Sequence, residues 1–350
     1  MIVLLVGWQR AMQGQKEPTH GKELMVSVII AVRNEESTIG KLLTDLSMQD
    51  YSRYEIIVVN DHSEDETLWI LSRFEMKHLR IINNKGTGKK AAISTGVQIA
   101  KGSIIVTTDA DCSVSREWLK QIHEQFRDKN IMMIFGGVGM AGDNAFFADL
   151  QVMEFSSLIG TGAATAALGA PTMCNGANLA FRKSVFLEVK GYQDNLSIPS
   201  GDDEFLMMKI RKRYPHSVRF LNHPNAVVVT KPKSSLEGFF HQRIRWASKW
   251  RFNKFLFPKV LAVIVVLIQT SFLINWIFVF TSMDIQSLFI LSIKMILEAA
   301  FLLQVCRFMQ TRWNWLAFFA LQVIYPLYVL AIATSSFFVP FQWKNRIFKP

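Results

Sequence analysis

Charge is scarce in this 350-residue chain and cysteine scarcer. Asp, Glu, Lys and Arg make up 19% of the residues, hydrophobic types 50%, and there are three cysteines. So little charge beside so much apolar content argues against disorder, a coiled coil or an ordinary soluble enzyme. Cys112, Cys174 and Cys306 lie far apart without CxxC spacing, which excludes a disulfide scaffold and a cysteine-based zinc site. They suit a reducing compartment and read as small apolar fillers. No GxSxG elbow is present. Gly86-Thr87-Gly88-Lys89-Lys90 falls short of a Walker loop, which needs Gly at 83 and Ser or Thr at 90, where Asn83 and Lys90 stand. His123-Glu124 lacks the second histidine of a zinc helix, since 127 is Arg. The apolar start, Met1–Val6, is too short to cross a bilayer and has no basic flank of the signal-peptide kind. It reads as the remnant of a longer anchor.

What charge there is lies unevenly. Lys259, Asp284, Lys294, Glu298, Arg307 and Arg312 are the only charged residues between Pro258 and Phe341. Val260–Phe280 and Trp313–Val339 are charge-free runs, each long enough for a hydrocarbon core that takes roughly 20 residues to cross. Pro326 marks a kink in the second. Ile285–Cys306 is also long enough, but it carries Lys294 and Glu298 four residues apart on one helical face. It either pairs them inside a bundle or lies in the interface, and a span is the expectation. Upstream, His241–Lys254 interleaves Arg243, Arg245, Lys249, Arg251 and Lys254 with Trp246, Trp250 and Phe252. That pattern suits an interfacial helix facing anionic lipid, with the N-terminal body on the cytoplasmic side of an inner or plasma membrane. Three spans would then leave Lys344, Arg346 and Lys349 on the wrong side for the positive-inside rule. The net charge of +11 also fits nucleic acid, but the basic residues gather beside a span and no nucleic-acid module is recognisable. No nucleic-acid partner is expected.

The N-terminal body alternates apolar strand-like runs with amphipathic stretches. Strands are expected at Met25–Val32, Tyr54–Asn60, Leu79–Ile82 and Ser103–Thr108. Helices are expected up to about Met48, from a capping box at Ser63-Glu64-Asp65-Glu66, and near Lys89–Ala100. Repeated βα units imply a doubly wound, mainly parallel α/β sheet, whose ligands bind at the carboxyl ends of the strands. At those ends stand Arg33-Asn34-Glu35, Asn60-Asp61 and Asp109-Ala110-Asp111. Each alone is ordinary turn chemistry; three on one sheet edge suggest a site. In an extended segment Asp109 and Asp111 project to the same side, and two hard oxygen ligands suit Mg²⁺ or Mn²⁺ completed by substrate phosphates. Ser200-Gly201-Asp202-Asp203-Glu204 opens an apolar helix, either simply favouring its dipole or offering a general base. Gln242-Arg243-Ile244-Arg245-Trp246 joins guanidinium forks that suit phosphate to an indole on which a sugar can stack. Lys89 and Lys90 either touch phosphate or form a solvated helix start.

Taken in order, VSVIIAVRNEE, VVNDHSEDET, TTDADC, CNGANLAFRK, GDDEF and QRIRW resemble inverting family 2 glycosyltransferases of GT-A fold. The likeness is to the membrane-integrated branch of cellulose, hyaluronan and poly-N-acetylglucosamine synthases, and it covers roughly Met25–Arg251. It implies a GT-A catalytic domain over 25–240 after an N-terminal segment (1–24). An interfacial helix (241–257), two or three transmembrane helices (258–341) and a basic tail (342–350) would follow. It further implies that Glu35 and Asp61 hold the uracil and ribose of a UDP-sugar, with Lys89 beside the donor. Asp109 would lie near ribose or diphosphate, Asp111 would bind the metal, and Asp203 would be the general base. Gln242, Arg243, Arg245 and Trp246 would cover the diphosphate, and Asn175, Gly176, Asn178 and Asp202 would border the acceptor, a lipid or a glycan. Gly201-Asp202 departs from the family's Thr-Glu, and the helical tail is shorter than in the long-chain synthases. Transfer of one or a few sugars in envelope glycolipid or polysaccharide synthesis is therefore the first expectation. A processive synthase is the second, and a catalytically silent membrane scaffold is the alternative outside enzymology.

Overall fold

The computed structural model describes residues 1–13, 23–142, 145–196, 198, 200–249, 256–343 and 346–348. Helix α1 (Ile2–Met12) precedes the units β1 (Val26–Val32), α2 (Ile39–Ser47), β2 (Tyr54–Asn60), α3 (Thr67–Ser72), β3 (Leu79–Asn83), α4 (Lys89–Ile99) and β4 (Ile104–Thr107). After α5 (Trp118–Phe126), β5 (Met133–Gly136) and β6 (Val138–Met140) comes the long α6 (Phe146–Ala167). Then follow β7 (Leu179–Arg182), α7 (Lys183–Glu188), α8 (Asp202–Arg213), β8 (Val218–Leu221), β9 (Val228–Thr230) and α9 (Leu236–Ser248). Three apolar helices, α10 (Leu256–Ser282), α11 (Ile285–Met309) and α12 (Trp315–Phe338), end in a short antiparallel pair, β10 (Phe341–Trp343) and β11 (Arg346–Phe348).

The main sheet has the order β3-β2-β1-β4-β7-β5-β8. Every pairing is parallel except those of β7, which runs antiparallel to both β4 and β5. Strands buried on both faces read as unbroken apolar runs rather than alternations. VSVIIAV and YEIIVVN come close, all of β2 is buried, and the polar pair between them is satisfied by the Ser27 hydroxyl donating to Glu55 Oε1 at 2.6 Å. After β1 the chain moves outward to β2 and β3, then returns to place β4 on the other side of β1. The β1–β4 seam is therefore the switch point where an open α/β sheet leaves a crevice at its carboxyl edge. A second, two-stranded sheet pairs β6 with β9.

The expected capping box is not what starts α3. Its N-cap position, Glu66, makes no side-chain cap, and the helix begins at Thr67. Residues 63–66 are instead fastened to the loop after β1. Ser63 Oγ accepts from the Asn34 N–H at 3.1 Å, Asn34 Oδ1 from the Glu64 N–H at 2.9 Å, and Glu36 Oε2 from the Glu66 N–H at 2.9 Å. Asp65 serves both loops, accepting from the N–H groups of Glu36 and Thr67. Tertiary pairing of two strand-end loops has overridden the local helix-start signal.

Helix α1 is part of the core rather than a free segment. Trp8 is 1% exposed and meets Phe308 and Phe301 edge-on, at 5.6 and 6.2 Å between ring centroids, with Phe220 of β8 alongside. Gly7 lets α1 lie against α6, since a Cβ there would sit 2.6 Å from the Ala164 carbonyl oxygen. The later helices are each long and apolar enough to cross a membrane, over Lys259–Ser282, Ile285–Met309 and Trp315–Phe338. The Lys294–Glu298 pair closes at 2.9 Å within the bundle, and Lys294 also donates to Gln322 Oε1 at 2.6 Å. Pro326 lies inside α12. A proline cannot donate to the carbonyl four residues back; that carbonyl, of Gln322, accepts instead from Trp276 Nε1 at 2.9 Å. An apolar environment demands such a replacement partner. Of the basic tail, Lys344 and Lys349 lie outside the described residues.

Removing the Trp8 indole should leave a large void at the junction of α1, α6 and α11. Trp8→Ala is expected to cost about 3–5 kcal/mol. It should show as a lowered thermal midpoint in detergent, largely restored in Trp8→Phe.

Candidate active site

The carboxyl ends of β1, β2 and β4 open on one cavity of about 1930 Å³, lined among others by Glu35, Asp61, Lys89, Asp109, Asp111, Asn175, Gly176, Asp202, Asp203, Gln242, Arg243, Arg245 and Trp246. Each of these was an expected site residue, and the fold brings them to one space. Asn178 is the exception. It is 1% exposed, donates from Nδ2 to the carbonyls of Gly137 and Ala226 at 2.8 Å each, and accepts from Trp118 Nε1 at 3.0 Å. These bonds tie the residue after β5, the turn before β9 and α5 together. It is a core residue and does not line the cavity.

Asp61 is buried and accepts through Oδ1 from Asn84 Nδ2 (2.7 Å) and from the Gly88 N–H (2.9 Å). Gly88 holds φ +92° at the start of α4, a backbone state open to glycine, so the second strand end and the α4 N-terminus are locked together. The Glu35 carboxylate takes the Thr38 hydroxyl at 3.0 Å. Asp109 and Asp111 do not lie on extended backbone as expected. The chain turns there, with the Cys112 N–H donating to the Asp109 carbonyl at 3.1 Å. Both carboxylates nevertheless face the cavity, Asp111 exposed and Asp109 partly so. Among the described residues no group of three or more His, Cys, Asp or Glu has the arrangement of a metal cage. The two aspartates add a pair of hard-oxygen donors to the cavity wall that Glu35 and Asp61 share.

Lys89 organises the centre. Its Nζ lies 2.6 Å from Asp109 Oδ1 and 3.5 Å from Asp202 Oδ2. Burial works against its charge, but Asp109 and then Asp202 raise its pKa well above the usual lysine range. Lys90 is not a solvated helix start; it is 5% exposed and donates to the carbonyls of Asn195, Ile198 and Ser200 at 2.8, 2.8 and 2.9 Å. It thereby fastens the loop that leads into α8. Nothing in the motif spacing announced that clamp.

At the head of α8, Gly201 sits at φ +76° with its ideal Cβ position 2.8 Å from the Phe205 ring. A β-branched residue would be strained in that conformation, which accounts for glycine where the resembled motif carries threonine. Asp203 Oδ2 accepts from the Gly176 N–H at 3.0 Å, and its Oδ1 accepts from the Glu204 N–H at 2.7 Å. Burial raises the Asp203 pKa, with Lys249 opposing. Burial would raise Asp202 too, but Lys89 and Lys90 outweigh it and bring its pKa below the ordinary value. Two adjacent carboxylates are thus driven in opposite directions.

The basic residues of α9 do not form a lipid-facing patch. Lys249 Nζ pairs with Glu204 Oε2 at 2.6 Å. Arg243, 3% exposed, gives Nε and a terminal nitrogen to Glu154 of α6 at 3.2 and 2.5 Å, and stacks over Trp246 at 4.4 Å and Phe239 at 4.5 Å. Tyr328 of α12 donates to the same Glu154 at 3.2 Å. The guanidinium of Arg243 is therefore committed to joining α6, α9 and α12, and it is withdrawn from the expected diphosphate contact. Arg245 looks toward Asp202, Asp109 and Asp203, although burial draws its pKa down. Trp250, Arg251, Phe252 and Lys254 lie outside the described residues.

Residues 27–189 match the family model described as "Glycosyl transferase family 2". The chain carries a glycosyl transferase family 2 domain. It is similar to the poly-beta-1,6-N-acetyl-D-glucosamine synthases of Staphylococcus aureus (26% identical over 226 residues) and Staphylococcus epidermidis (25% over 226). Both matches cover 63% of this chain and 53% of the relative, so the chain spans about half the length of the curated relatives it matches. Among solved structures, a mannosyltransferase from Pyrobaculum calidifontis in complex with GDP-Man and Mn²⁺ superposes with a TM-score of 0.63 at 19% identity, covering 95% of this chain and 94% of that one. This likeness establishes a shared GT-A-type fold, and it extends past the glycosyltransferase domain through the apolar helices.

The raised pKa of Asp203 fixes a sign. A carboxylate acting as base works only when deprotonated, so activity rises with pH through its pKa. Lys249→Gln keeps a donor for Glu204 but removes the cation that opposes the upward shift. The acid limb of the pH profile for nucleotide release should move to higher pH, and an unmoved limb would show that Lys249 does not set the field at Asp203.

Proposed function

We propose that the chain is a membrane-bound inverting glycosyltransferase that moves a sugar from a nucleotide-sugar, with a UDP-sugar favoured, to a hydroxyl of a lipid or glycan acceptor. The observation that carries this reading is the placement of Asp203. A half-buried carboxylate with a raised pKa is held by the Gly176 N–H beside the three strand ends of a glycosyl transferase family 2 domain.

The chemistry asks little more of the chain. The acceptor oxygen attacks the anomeric carbon on the face opposite the departing nucleotide, and its proton passes to the Asp203 carboxylate. The bond from that carbon to the diphosphate breaks, and one displacement inverts the configuration without a covalent intermediate. Asp61 and Glu35 line the crevice where the nucleoside would sit, and Lys89 and Arg245 bring positive charge to the diphosphate. Asp109 and Asp111 would hold a Mg²⁺ or Mn²⁺ ion. Such an ion offsets negative charge on the leaving diphosphate, and ions of this kind are commonly held by one or two carboxylates with substrate phosphates completing the shell. The Mn²⁺ of the Pyrobaculum calidifontis mannosyltransferase complex supports that assignment. The poly-N-acetylglucosamine synthase relatives keep a processive reaction open.

The test is nucleotide release from a panel of nucleotide-sugars by the protein in detergent, with and without Mn²⁺. Metal-dependent release from one donor is expected. Asp203→Asn should cut it by roughly 10²-fold or more while nucleotide affinity holds; equal loss of both would make Asp203 a structural residue. Asp111→Ala should instead weaken metal-dependent nucleotide binding, and an unchanged metal dependence would remove Asp111 from the ligand set. Silence across the panel with membrane lipids present would favour a scaffold.

A further inference from the structure

We infer that the acceptor is a lipid whose hydrocarbon chain threads between α10 and α12, while its nucleophilic oxygen reaches Asp203. This deepens the glycosyltransferase reading and rests on it.

The cavity that holds the strand-end carboxylates does not stop at them. It continues along the apolar helices, where Leu261, Val265, Ile268 and Phe272 of α10 and Val329 and Ile332 of α12 line it, Val265 and Ile268 on its open side. At about 1930 Å³ it exceeds the ~300–1,000 Å³ that small-molecule sites occupy. A nucleotide-sugar therefore leaves much of it for something else. The chemistry of the far part selects among occupants. A growing glycan carries hydroxyls on every ring, and each would need a partner in a space walled by Leu, Val, Ile and Phe, at a cost for every one left unpaired. Water in such a chamber is no better placed, because cavities lined by apolar side chains stay dry. The ionic groups of this region are already paired. Lys294 is bonded to Glu298 and Gln322, and Tyr328 to Glu154. They offer an incoming sugar little.

One polar group there is left over. Gln269 of α10 is 8% exposed and lines the chamber, and its Oε1 is without a hydrogen-bond partner among the described residues. A buried unpaired amide oxygen is uncommon enough to need an explanation. An O–H or N–H in the linkage region of a lipid supplies the missing donor, with the chain running on along the apolar wall. The transfer balances without further reagents: the lipid oxygen bonds to the anomeric carbon, its proton goes to Asp203, and the nucleoside diphosphate leaves with the electron pair of the broken bond.

The full chain, reconstituted in phosphatidylcholine vesicles, is given a radiolabelled donor from the panel above. One set of vesicles contains dioleoylglycerol, another undecaprenol, and a third carries a soluble oligosaccharide outside. The product is partitioned between chloroform–methanol and water. Label should enter the organic phase with one of the two lipids, which identifies the source of the nucleophilic oxygen. Val265→Trp and Leu261→Trp, which fill the chamber, should reduce that label about tenfold, and Gln269→Leu should raise the KM for the lipid with kcat nearly kept. Nucleotide affinity, read by calorimetry, should stay unchanged in all three, which also shows that they fold. Label that stays in water as a glycan, undiminished by both tryptophans, would overturn the lipid acceptor while leaving the transferase intact. Absence of nucleotide release in every arm would instead overturn the glycosyltransferase reading, and this inference with it.

Discussion

Four carboxylates crowd one edge of the sheet and the helix head beside it, Glu204 buried and the others partly so, and cations from two helices are packed among them. Asp109 and Asp202 share Lys89, Glu204 takes Lys249, and Asp202 and Asp203 feel Lys90 and Arg245. Removing one partner of such a set strands a charge in a poorly solvated place, which is far costlier than never having buried the pair. The arrangement ties separate stretches of chain together: the start of α4, the turn after β4, the head of α8 and the end of α9. It also divides labour between neighbours. Asp202, beside two lysines, stays ionised, whereas Asp203, where burial prevails, holds a proton more readily. Environments that separate the pKa values of adjacent carboxylates are how acid and base roles become distinct.

A second ionic joint lies behind the first. Arg243 and Glu154 are almost wholly buried, and Tyr328 completes them from α12. Such a joint stabilises little in itself, but breaking it leaves an uncompensated charge. It makes the position of α9, and with it Arg245 and Lys249, depend on a helix otherwise apolar enough to enter a membrane. The strand-end chemistry and the apolar bundle are therefore one mechanical unit.

Much of this was legible in the amino-acid order. Central parallel strands are predominantly apolar, so β1, β2 and β4 could be read within a residue or two, and their ends located the crevice. The three apolar helices and the Lys294–Glu298 pair were equally open to reading. What could not be read was where each polar side chain is used. Arg243 and Asn178 carry the residue types of a binding motif, yet one joins three helices and the other three core elements, because their partners Glu154, Gly137 and Ala226 are distant in sequence. The basic run of α9 resembled a lipid-facing patch for the same reason. Its counter-charges, Glu154 and Glu204, come from other elements. Lys90 gave no signal at all, since its partners are backbone carbonyls that every residue possesses. The extended geometry assumed for Asp109 and Asp111 failed because periodicity says nothing about a turn that starts immediately after a strand.

The docking of α12 has a practical consequence. Asn314 at its N-cap donates to Asp149 of α6 at 2.6 Å, Phe318 is buried in the main core, and Ile332 packs on Ile244 of α9. A fragment trimmed to the sheet domain for easier expression would thus lose part of its own interior. It would expose Phe301 and Phe308 partners such as Trp8, and free Arg243 and Glu154 from their third member. Solubility gained by truncation would come with a collapsed wall beside Asp203, so an inert fragment would say nothing about the intact protein.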